Sequence, residues 1–161
     1  MDSKLWNHFR SKEAFKEGVT AVVKEGSVEQ LRKLLNPGEF LEENWDIAMS
    51  LAFDAAVDNN KAELILAVLN EAGGSFAQQT LVAGHHYAAF CMAAAKGHKE
   101  AMMVLLAYMD DSMISKAIGA LKDRHDIGKT GEIVETLERD LNNPSSSLRK
   151  EIVAYRKSLG I

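Results

Sequence analysis

The chain has one cysteine, Cys91, among 161 residues, so it forms no internal disulfide, and no Cys-x-x-Cys pair is present to hold zinc. A lone thiol fits a reducing compartment, and the cytoplasm is the expected setting. Proline occurs twice, aromatic residues make up 7% of the chain, and β-branched runs of alternating strand type are missing, which weighs against a sandwich or barrel. No apolar run approaches the roughly 20 residues that span a bilayer, so no membrane helix is expected. The opening Met1-Asp2-Ser3-Lys4-Leu5-Trp6 carries an acid and no apolar core, and is therefore not expected to be a secretory signal. A non-classical route that delivers protein into a host cell would leave no such mark. Excess positive charge is lacking as well: a formal net charge of -4 argues against nucleic-acid binding, which relies on clustered Lys and Arg.

What is present points to helix. Hydrophobic residues at 47% and charged residues at 26% are ordinary for a globular chain, and a chain of this size buries about 70% of its unfolded surface. Ser27-Val28-Glu29-Gln30 has capping-box spacing and predicts a helix that ends at Asn36-Pro37-Gly38. A long helix follows from about Trp45 to Asp58, then a turn at Asn59-Asn60, then a helix from Ala62 to Leu69 closed by a left-handed cap at Gly73-Gly74. Ser75-Phe76-Ala77-Gln78 repeats the capping-box spacing for a short helix to Val82, and Gly84-His85-His86-Tyr87 reads as the next helix start. Helices are expected over Ala88 to Ala95, Ala101 to Met109 and Ile133 to Leu141, with Asp110-Asp111-Ser112 opening another through about Lys122 and Gly128 and Gly131 as breaks. After a turn at Asn142-Asn143-Pro144-Ser145, Leu148, Ile152, Tyr155 and Leu159 form one apolar stripe, which predicts a terminal helix that seals the core.

Two landmarks recur along this series. Glu29-Gln30-Leu31, Glu63-Leu64-Ile65, Glu100-Ala101-Met102 and Glu132-Ile133-Val134 are separated by 34, 37 and 32 residues. Upstream of each lies a small residue followed by a large apolar one: Gly18-Val19, Ala52-Phe53, Ala89-Phe90 and Ala120-Leu121. A fixed period in this range predicts a solenoid, in which each helix pair leaves an apolar face that only its neighbour covers.

The tract Ala93-Ala94-Ala95-Lys96-Gly97-His98-Lys99-Glu100 resembles the inter-helix segment of ankyrin repeats, and the resemblance extends loosely over about residues 15 to 141. It implies an all-α, ankyrin-like helical-repeat solenoid in one domain over 1–161, with units of about 15–43, 44–80, 81–111 and 112–142, an N-terminal capping helix and a C-terminal capping helix at 145–159. The family's Thr-Pro pair is missing, since Ala88-Ala89 stand there, and its histidine is replaced by Cys91. Regular β-hairpin fingers are therefore not implied.

The resemblance implies a non-catalytic module that, as a monomer and without cofactor or metal, binds a protein partner along its inter-unit loops and first helices. On this sequence that surface draws on Asn44, Trp45, Gln78, Gln79, His85, His86, Tyr87, Asp110 and Asp111. Phe40, Trp45, Phe76 and Tyr87 are the aromatics near those loops, and aromatic anchors dominate protein interfaces. Similar degenerate repeats occur in regulatory proteins and in effectors that intracellular bacteria deliver into host cells. The alternative is a small helical enzyme using His85, His86 and Cys91, or the loop Asp123-Arg124-His125-Asp126, which gathers acid, base and cation. Adjacent histidines on a helix point about 100° apart and cannot easily share a metal ion. Gly128-Lys129-Thr130 ends like a phosphate loop, but Asp123 replaces the first glycine of that motif. Met92, Met102, Met103, Met109 and Met113 are read as core filling.

Overall fold

The computed structural model describes residues 12–35, 42–124 and 130–161. Among the described residues it is all-helical, with no strand. The helices are α1 Lys12–Glu25, α2 Val28–Leu34, α3 Glu42–Asp58, α4 Ala62–Ala72, α5 Ser75–Lys96, α6 Lys99–Ala107, α7 Asp111–Lys122, α8 Thr130–Leu141 and α9 Ser147–Leu159.

Local chemistry sets many of these boundaries. The Ser27 hydroxyl accepts from the Gln30 N–H at 3.1 Å, Asp110 Oδ1 accepts from the Met113 N–H at 2.8 Å, and the Ser146 hydroxyl accepts from the Arg149 N–H at 3.1 Å. Each bond satisfies a first-turn donor that lacks a partner within its helix. Three helix pairs turn in the same way. Gly26, Asn60 and Gly97 take positive φ of 75°, 53° and 70°, and each returns its N–H to the carbonyl three residues back, at 3.0, 3.0 and 3.2 Å. In the second and third turns the following residue reaches five back, Lys61 to Ala56 and His98 to Ala93, both at 2.9 Å. This is the Schellman closure, which favours glycine and tolerates asparagine because other side chains crowd the backbone there. Val19, Phe53 and Phe90, each seven residues before its turn, are all at most 1% exposed.

The chain separates into two compact units, Met1–Leu81 and Val82–Ile161. In the first, α1 packs on α2 and α3, and α4 packs on α2 and α3, so first helices lie together and second helices lie together. Leu31, Leu34, Phe53, Val57, Ile65 and Leu69 are essentially sealed from solvent, and each such side chain contributes about 1.5 to 3 kcal/mol by leaving water. Ala48, Ala52 and Ala56, all at 0% exposure, line one face of α3 and let the neighbouring backbones approach.

In the second unit α7 packs on α8, while α9 packs on both α6 and α8. Ile152 anchors α9 with no exposed surface, and Leu148, Tyr155 and Leu159 are half-buried on the same stripe. The terminal helix also ties off other elements through two arginines. Arg149 donates from Nε to the Leu141 carbonyl and from Nη1 to Asp111 Oδ1 at 2.9 Å. Arg156 donates from Nε to the Ala107 carbonyl at 3.0 Å and from Nη2 to the carbonyls of Leu106, at 3.2 Å, and Met109. The last carbonyls of a helix carry the negative end of its dipole and retain accepting capacity, so guanidinium groups suit the ends of α6 and α8.

Several local expectations need correction. Gly73 has positive φ but a ψ of −97°, not the left-handed helical value, because the chain enters α5 after one further residue. Gln78 does not close a capping box; its side-chain amide donates to the Leu69 carbonyl at 3.1 Å, a longer-range bond from α5 to the last turn of α4. Gly131 does not interrupt a helix but lies in the first turn of α8, where the backbone is already open to solvent. Gly128 and the turn at Asn36-Pro37-Gly38 lie outside the described residues.

Candidate functional site

The most unusual backbone lies inside α5. Gly84 leaves the helix at φ −56°, ψ 142°, and His85, His86 and Tyr87 then take left-handed values of (54°, 46°), (55°, 51°) and (59°, 34°). This corrects the expectation of an ordinary helix start: the histidines are exposed, but on a turn of opposite hand. A left-handed L-residue costs roughly 1 to 2 kcal/mol, so three in succession store strain that surrounding packing must offset. Tyr87 is itself buried, as are Phe90, Cys91 and Ala94 in the helical stretch that follows. It is therefore not the exposed aromatic that its place near a loop suggested.

Burial raises the Tyr87 hydroxyl above its ordinary pKa, and the nearby Asp110 carboxylate raises it further. Asp110 is exposed and caps α7, while its neighbour Asp111 pairs with Arg149. Tyr87 and Asp110 thus bring the turn bearing His85 and His86 together with the start of α7 in the second unit. In the first unit, Gln79 is exposed and Gln78 is half-buried and engaged with Leu69. Asn44 and Trp45 stand near the start of α3, and their side chains lie outside the described residues.

Glycine at the strained positions provides a direct check, because it visits this conformation freely. The double substitution His85→Gly, His86→Gly is expected to raise Tm by a few degrees, as about 1 kcal/mol moves Tm by roughly 2 to 4 °C in a chain of this size. His86→Val should lower it, since a β-branched side chain fits that turn worst. Paired thermal melts read both effects.

Cys91 is fully buried, and desolvation lifts its thiol above the ordinary range, partly offset by the charge and hydrogen bond of Arg124. The fold therefore brings Cys91 to one member of the Asp123 to Asp126 loop. Asp123 is the exposed C-cap of α7, and His125 and Asp126 lie outside the described residues. His85 and His86 face solvent whereas Cys91 does not. A raised pKa favours the protonated thiol, the unreactive form. At neutral pH native Cys91 is expected to react with a thiol reagent at least about tenfold more slowly than in denaturant, because access requires opening. Equal rates, followed by absorbance, would show the thiol to be accessible.

Among the described residues no group of three His, Cys, Asp or Glu side chains is placed to hold a metal ion, and no helix is long and apolar enough to cross a membrane. Phe76, at the start of α5, is 83% exposed. Comparison with family models, curated proteins and solved structures finds no match to the chain.

Of the loop aromatics read from the sequence, Phe76 stands open, Tyr87 is buried, and Phe40 and the Trp45 side chain lie outside the described residues. Among the described residues Phe76 is the loop aromatic that stays uncovered, although its position alone did not set it apart from the others. Its signal is the preceding Gly73-Gly74-Ser75, which brings no bulky side chain to cover the ring.

Proposed function

We propose that the chain is a non-catalytic protein-interaction module, built as an ankyrin-like helical-repeat solenoid, that acts as a monomer and binds a protein partner without a cofactor or metal. The observation that carries this reading is Phe76, 83% exposed where α5 begins. Burying an aromatic side chain removes up to about 150 to 250 Å² from water, and such anchors supply much of the energy of protein interfaces. Gln79, three residues on in the same unit, is exposed and offers a polar contact beside the ring. The shared closures at Gly26, Asn60 and Gly97 support the repeat architecture. A regulatory protein of the cytoplasm, or an effector delivered into a host cell, would suit such a module. The small-enzyme alternative has less support, because its thiol is buried and protonated and its histidines face solvent.

The test is a pull-down from lysate with wild type and Phe76→Ser side by side. The variant is expected to lose the partner that wild type retains while its stability stays within about 0.5 kcal/mol, as is usual at an exposed position. An identical set of retained proteins would overturn the role of Phe76. Light scattering at two concentrations should give a monomer mass. A larger mass at the higher concentration, abolished by Phe76→Ser, would assign the ring to self-association instead.

A further inference from the structure

We draw no further inference here: the strongest candidate, the left-handed turn His85-His86-Tyr87 beside Asp110 in the second unit, holds two exposed imidazoles on a strained backbone, but nothing in the structure shows a ligand or a second conformation that would draw on that strain.

Discussion

Phe53→Ala is expected to destabilise the first unit by about 3 to 5 kcal/mol, the range for removing a buried phenyl ring. Phe53 is 1% exposed in α3, the helix that packs on both α1 and α4. Its loss removes the transfer energy of the ring and leaves a cavity bordered by elements that cannot all collapse inward together. Against a typical total of about 5 to 15 kcal/mol, that is a large share. Urea unfolding should show the midpoint falling by roughly 1 to 5 M if the slope is near 1 to 3 kcal/mol/M. Phe53→Leu, which retains most of the apolar volume, should lose much less. A midpoint for Phe53→Ala within 0.2 M or so of wild type would mean that the ring does not sit in the core.

Arg156→Met is the second large effect and tests the tie between α9 and the end of α6. The guanidinium serves carbonyls of Leu106, Ala107 and Met109, and methionine keeps the apolar stem but no donor. Hydrogen bonds from charged donors contribute about 1.5 to 3 kcal/mol, so a loss of about 2 to 3 kcal/mol is expected in denaturant melts. Arg156→Lys should recover only part of it, because a compact ammonium cannot fork to separated carbonyls. Full recovery by lysine would show that charge alone acts there.

Much of the helical framework was legible because its signals are local. Ser27 and Asp110 occupy their caps as their spacing suggested, and the turns at Asn60 and Gly97 fall where small or amide side chains interrupt apolar runs. The stripe of α9 also follows from its own spacing, with Ile152 at its centre. The surface was less legible. Tyr87 and Phe76 are both aromatics beside glycines, yet one is buried and the other is open, and that difference depends on what the fold places against each ring. Gln78 had the spacing of a capping residue but found the Leu69 carbonyl, nine positions back, which helix geometry within one segment does not reveal. The left-handed values at His85 to Tyr87 run against the preference of all three residue types, so no local rule could have placed them. Arg156 reads as an ordinary exposed cation until the end of α6 is set beside it.

The ties made by Arg156 span 47 to 50 positions of sequence. During synthesis the paired helices of the first unit can associate while later residues are still being added, since their contacts fall within the first 81 positions. The end of α6 waits for its guanidinium until α9 has emerged from the ribosome. At synthesis rates of about 5 to 20 residues per second, that leaves a window of a few seconds in which the second unit is incomplete and open to a chaperone.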